Sequence, residues 1–270
     1  MLVNAANITE KKYRKLTLLL TEHGLEMSVT DTLNNQILSF DVVSFDASAP
    51  AEQQLLDALQ NHASLRDLYD EVGVVQQNNL STFVPDALLD ESQLGAYLQY
   101  NNKVFAHDDF RTDTLNNYSI HHVYVAQSRW LHVLEEHFKI ISAKHAHSVL
   151  VGRLLDLSKN VDDKRMFVHM APGHFEIIIV QNQHLLLFNS FEYKTPEDLI
   201  YYLLFTAEQL NLNPESFRLE FLGKISEDDA FYKIAYKYIR NVSLFDPEDA
   251  RINNDFSAQD NREHFILFQS

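Results

Sequence analysis

Between Lys164 and Gly223 the chain runs through three closely spaced apolar segments, a long amphipathic segment and a fourth apolar run. A fainter copy of that order starts near Lys15. At a fixed offset of 150 residues Leu16 faces Met166, Leu20 faces Met170, Leu25 faces Phe175, Glu26 faces Glu176 and Met27 faces Ile177. After a turn two residues longer in the first copy, Leu38 and Phe40 match Leu186 and Phe188, and Pro50 and Pro196 open equivalent helices. A continuous run such as Leu16–Leu20 suits a strand buried on both faces, and the alternation at Leu25, Met27 and Val29 suits a half-buried one. The order strand–strand–strand–helix–strand–helix–strand, used twice, is too long for a solenoid unit. It predicts an α/β fold with mixed sheets in two lobes, residues 1–160 and 161–270.

Between these landmarks the pattern is read as follows. Leucines at helical spacing predict a helix from Pro50 through Tyr69, and another from Asp86 to Tyr100. Asn101–Asn117 is polar and reads as a loop, His121–Val125 as a strand and Ser128–Phe138 as a helix. Ser142–Asp156 reads as helix throughout. In the second half, Thr195-Pro196-Glu197-Asp198 is a strong helix start, with a capping residue, proline at the first helical position and acids in the first turn. Glu227–Ile239 is a further helix, Leu244–Gln259 an irregular stretch and His264–Phe268 a last strand.

Charge and composition narrow the function. Lys and Arg number 22 against 38 Asp and Glu, a net charge of −16, which disfavours nonspecific binding to nucleic-acid backbones or anionic lipid. Lys11, Lys12, Arg14 and Lys15 form the only dense basic run. With no cysteine, disulfides, thiolate catalysis and iron–sulfur clusters are excluded together. The first residues lack an apolar core of signal-peptide length and no apolar run could cross a bilayer, so a cytoplasmic protein is expected.

A duplicated unit of this order resembles the actin-like, ribonuclease-H-like fold. More closely, the chain resembles the Bacteroidetes family known as domain of unknown function 3822. The residues that carry the likeness are Phe83-Val84-Pro85, the run from Phe175 to Ile179, Leu186–Tyr193, Glu197–Phe205 and Gln209-Leu210. The second lobe is also similar to actin-like proteins of type IV pilus and type II secretion assembly. That resemblance implies two lobes facing a cleft and a role in protein contacts, with an unidentified protein partner; the family has no settled activity to lend.

Actin-like ATPases hold phosphates on the backbone of two hairpin loops, each preceded by an Asp that positions Mg²⁺. The corresponding turns are Leu20–Gly24 and Met170–His174, so Leu20 and Met170 occupy the aspartate positions and Pro172 removes an N–H donor. The purine-side glycine pair is reduced to Gly223 in Leu222-Gly223-Lys224-Ile225. Nucleotide hydrolysis is therefore not expected, no cofactor is assigned, and the residues left as weak cleft candidates are Gly173, His174, Gly223 and Lys224.

Thirteen histidines raise the question of a metal. His132 and Glu136 share a helix face at i, i+4, His145 and His147 flank Ala146, and His121 and His122 on a strand point to opposite faces. No set has diagnostic ligand spacing, and ordinary, partly exposed histidines without a metal are expected. The pairs Asp108-Asp109, Asp162-Asp163 and Asp228-Asp229 read as solvated surface, and no catalytic residue is assigned. The leading expectation is a non-enzymatic scaffold or protein-interaction module. The alternative is a nucleotide- or phosphometabolite-binding relative of the actin-like ATPases with its site between the lobes.

Overall fold

The computed structural model describes residues 11–138 and 142–270; the expected absence of a leader at Met1–Glu10 lies outside them. Strands β1 (Arg14–Thr21), β2 (Gly24–Asp31) and β3 (Gln36–Ser44) form an antiparallel meander. Helix α1 (Ala51–Asn61) carries the chain to β4 (Glu71–Gln76), which lies parallel to β1. An inserted three-stranded sheet follows, built from β5 (Ser81–Pro85), β6 (Phe110–Leu115) and β7 (Ile120–Val125), with the short α2 (Leu94–Leu98) between β5 and β6. Helix α3 (Ser128–His137), strand β8 (Ser142–His145) and helix α4 (Ala146–Leu157) complete the first half.

The second half repeats the frame without the insert. Its strands are β9 (Arg165–Ala171), β10 (His174–Gln181), β11 (His184–Glu192), β12 (Arg218–Gly223) and β13 (Asn241–Leu244). Helix α5 (Pro196–Gln209) precedes β12, α6 (Ala230–Tyr238) precedes β13, and α7 (Ala258–Glu263) and α8 (Phe265–Phe268) close the chain. The two large sheets have matching orders, β3-β2-β1-β4-β8 and β11-β10-β9-β12-β13. The hairpin registers are also equivalent: Thr21 pairs with Gly24 as Ala171 pairs with His174, and a register shift falls between Val29 and Thr30 as it does between Ile179 and Val180.

Layering follows from which side chains each strand sends where. Leu16, Leu18, Leu20, Leu25 and Met27 pack under α1 and α3, and Met166, Val168, Phe175 and Ile177 pack under α5 and α6. The opposite faces send Leu19, Val75, Phe167, Ile178 and Val180 into one shared core, where α4 and α8 lie between the sheets. Helix α4, from the first half, packs on β10 and β11 of the second, and α8, from the second half, packs on β1 and β2 of the first. Each half thus closes the inner face of the other. No helix among the described residues is long and apolar enough to cross a membrane.

Several local expectations are corrected. The first helix stops at Asn61, where His62 turns extended; a 3₁₀ turn holds Leu65 in the core while Leu68 is exposed. The segment from Asp86 to Tyr100 is two 3₁₀ turns and the short α2, because Asp90 accepts the Ser92 amide and hydroxyl and breaks the run. The supposed loop Asn101–Asn117 contains the six-residue strand β6, whose polar Asp113 is used internally (below). Ser142–His145 is strand β8 rather than helix, and β13 was not expected. The polar stretch Leu244–Gln259 contains a 3₁₀ turn at Pro247–Ala250 and the start of α7. HFILF is mostly helix α8, not strand: Phe265, Ile266, Leu267 and Phe268 are all buried, and a helix buried all round has no periodicity to read. The start of α5 is as expected, with Pro196 at its first position and the Asp198 carboxylate accepting the Lys194 and Thr195 amides.

Candidate functional site

The two β-hairpin turns face one cleft of about 430 Å³, whose wall is completed by Lys224, Glu263 and His264. Neither Leu20 nor Met170, which borders the cleft, offers it a carboxylate. Both are buried in the outer cores, and their carbonyls accept the amides of Gln77 and Lys224, at 2.9 and 3.0 Å. In the first hairpin Thr21 Oγ1 accepts the His23 amide at 3.1 Å, so that donor is already engaged; in the second, Pro172 has none. Four cleft carboxylates, Glu22, Glu26, Glu192 and Glu263, face one permanent cation, Lys224. Such a lining repels a polyphosphate.

Of the four candidates read from sequence, His174 and Lys224 line this cleft. Gly173 sits at the hairpin tip with φ +81° and open space around it. Gly223 has a packing role instead: with φ +80°, a Cβ there would lie 2.2 Å from the Met170 carbonyl oxygen, so β9 and β12 can pair this closely only around a glycine.

Beneath the cleft lies a set of buried polar groups that sequence reading did not assemble. Glu176, fully buried in the middle of the apolar β10, accepts a 2.8 Å hydrogen bond from His169 Nδ1 on the adjacent strand. His174 Nε2 and His147 Nε2 stand 3.1 and 3.3 Å from its other oxygen, off the hydrogen-bonding line, so that oxygen has no well-aligned donor. Burial pushes the Glu176 carboxyl upward, but the three imidazoles outweigh it and hold the group well below the usual carboxylate range. His147 belongs to α4, so this contact crosses from one half to the other. The equivalent carboxylate, Glu26 on β2, is bridged in the reverse sense by His264, from the turn between α7 and α8, at 2.8 Å. One carboxylate per half, fully buried at Glu176 and part-buried at Glu26, is therefore met by a histidine from the opposite half.

Burial lowers the affinity of His174 for its proton, yet the Glu176 carboxylate and the Pro172 carbonyl leave it raised overall. A histidine with a raised folded-state pKa contributes stability that is fully present below its unfolded value of about 6.5 and lost as pH rises through the folded value. His174→Gln should therefore cost more stability at pH 6 than at pH 9, read from urea unfolding at both; equal losses would contradict the pairing.

His132 and Glu136 do face each other, at 3.3 Å and well exposed, as the helix spacing implies. His122, His145 and His147, by contrast, are not partly exposed: each has 0% of its surface accessible. His122 is stacked on Phe83 and bonded to Ser148 of α4, and His147 packs against Phe188 of the second half, contacts between distant residues that no local spacing could signal. His121 does point away from His122, toward Thr114 and Asp86.

A family described as protein of unknown function (DUF3822) matches residues 4–242. Among solved structures, a Bacteroides thetaiotaomicron protein with an actin-like ATPase fold and unknown function is similar at a TM-score of 0.83. It is 20% identical, over 98% of this chain and 99% of that one. A type IV pilus biogenesis complex of PilM and PilN is similar at 0.62, with 11% identity over 94% of this chain and 96% of that one. The ethanolamine utilization protein EutJ from Carboxydothermus hydrogenoformans matches at 0.50, with 8% identity over 95% and 88%. The fold is thus actin-like. No curated protein matches.

Proposed function

The chain belongs to the DUF3822 family of proteins of unknown function, and we propose that it is a cytoplasmic, non-enzymatic binding module that engages a protein partner through an actin-like frame. The observation that carries this is the packing of Leu20 and Met170 into apolar cores at the two positions where an actin-like ATPase needs carboxylates. Without them a magnesium–nucleotide complex loses its anchor, and the acidic lining offers no substitute. Two further features support a protein partner. The PilM–PilN structure, on the same fold, is a complex between proteins. On α5 and α6 of this chain, Tyr201, Phe205, Tyr236 and Tyr238 are exposed, with Tyr201 and Phe205 stacked at 6.1 Å, and exposed aromatics are favoured interface anchors.

Crosslinking in the native host, followed by mass spectrometry, tests the proposal. The wild-type chain should retain one protein at near-stoichiometric yield, and the doubly substituted Tyr201→Ser, Phe205→Ser chain should lose it with its thermal stability unchanged. Retention of no specific protein by the wild type would count against the reading.

A second reading is favoured by one observation, the placement of Lys224 and His174 on the same 430 Å³ cleft: a small phosphorylated metabolite bound without metal. Such a ligand at 100 times its Kd adds about 2.7 kcal/mol of stability. That gain should vanish in Lys224→Ala, whose side chain is exposed and dispensable to the fold.

A further inference from the structure

We propose that His122, His145 and His147 form a binding site for a first-row divalent transition-metal ion, with Zn²⁺ as the reference ion. The three come from different elements, β7, the end of β8 and the first turn of α4, and the fold brings one ring nitrogen from each within 4.8 Å of the others. Ring centroids are 4.6 Å apart for His122 and His145, and 4.8 Å for His145 and His147.

The hydrogen-bond pattern points inward. On all three rings Nδ1 has a partner and Nε2 has none, although all three are fully buried. Orphaned buried ring nitrogens are costly, and three that converge call for a common occupant. For His122 the tautomer follows from its neighbours. Ser148 donates its hydroxyl proton to Asp113 at 2.6 Å, so the same oxygen accepts from His122 Nδ1–H at 2.9 Å, and Nε2 keeps a lone pair. A carboxylate–serine–histidine chain of this kind is the outer support that fixes a metal-binding imidazole. His147 Nδ1 has the Ser81 hydroxyl at 3.1 Å, which can play the same part.

His145 has one change to make. Its Nδ1 accepts the His147 amide at 3.1 Å, capping α4, so its neutral proton sits on Nε2. Loading moves that proton to Nδ1 and gives up the cap, which makes the His147 amide a reporter of occupancy. Burial, together with neighbouring imidazoles, holds His122 and His145 well below the ordinary histidine range, in the neutral form that a metal requires. Glu176 Oε1, 3.3 Å from His147 Nε2, places negative charge beside the three rings. An all-nitrogen set suits zinc, nickel, cobalt or copper, and disfavours magnesium and calcium. Glu176 links the cleft residues His169 and His174 to His147.

Untagged protein, stripped with EDTA and desalted, tests this after incubation with Zn²⁺ alone. The expected result is one zinc per chain retained through gel filtration, a raised melting temperature, and visible ligand-field bands of a low-symmetry site when Co²⁺ replaces Zn²⁺. His122→Gln and His147→Gln should each lower zinc affinity at least tenfold, while His132→Ala, which removes the exposed His132–Glu136 pair, should not. Retention of no zinc by the wild type would overturn the site, as would zinc lost in His132→Ala but kept in His122→Gln. If the buried variants fail to fold, the wild-type stoichiometry and the cobalt spectrum still decide.

Discussion

Gly223→Ala should lose about 2–5 kcal/mol of stability, with the melting temperature falling by about 4–20 °C. The added methyl carbon meets the Met170 carbonyl oxygen at 2.2 Å and the Met170 amide nitrogen at 2.9 Å, backbone atoms that the pairing of β9 with β12 and the Lys224 amide hold in place. Holding an alanine at φ +80° costs about 1–2 kcal/mol by itself, and overpacking of this kind adds about 1–3 kcal/mol. A chain of this length shifts its melting temperature by about 2–4 °C per kcal/mol. Gly173→Ala is the internal control. Its φ is nearly the same, +81°, but nothing lies within 4 Å of the added carbon, so only the conformational cost of about 1–2 kcal/mol remains. Comparable losses for the two substitutions in chemical denaturation would show that the close approach at Gly223 is not what requires a glycine there.

Glu176→Ala should be similarly damaging, at about 3–5 kcal/mol, the usual cost of removing one member of a buried charged cluster. His169 on β9 loses its hydrogen-bond acceptor, His174 on β10 and His147 on α4 lose the carboxylate charge beside them, and the interface between the halves loses a fully buried polar contact. Glu26→Ala breaks only the contact with His264, at a carboxylate whose side chain is 16% exposed, and should cost about 1–3 kcal/mol. Equilibrium unfolding in urea separates the two. Equal effects would mean that Glu176 draws no special stability from its ring of imidazoles.

The frame was legible because the repeat is written in strand residues whose burial depends on the immediate neighbours. The 150-residue offset that aligned Leu20 with Met170 and Glu26 with Glu176 is the offset between the paired hairpins in space. A glutamate interrupting two otherwise apolar strands at the same place was therefore the available signal for the buried cluster. Its partners were hidden by distance along the chain: His264 is 238 residues from Glu26, and His147 reaches Glu176 only because α4 packs on the opposite half. The polar strand β6 was read as loop because Asp113, which hydrogen-bonds Tyr124, the His145 amide and Ser148, looks like a solvated acid in one dimension. Gly223 was singled out in the sequence as a purine-side glycine, and its positive φ and close approach to Met170 give it a packing requirement that the sequence did not signal. His174 and Lys224, two of the four residues named from the sequence, line the cleft, since the tips of paired hairpins meet at the same end of their sheets.

The central claim is that the actin-like frame persists while its magnesium–nucleotide chemistry does not. Calorimetric titration of the EDTA-treated, then magnesium-supplemented protein with ATP and with ADP tests it most directly. The account predicts no heat of binding and no change in melting temperature at millimolar nucleotide. A saturable, magnesium-dependent binding curve that is lost in Lys224→Ala would contradict it.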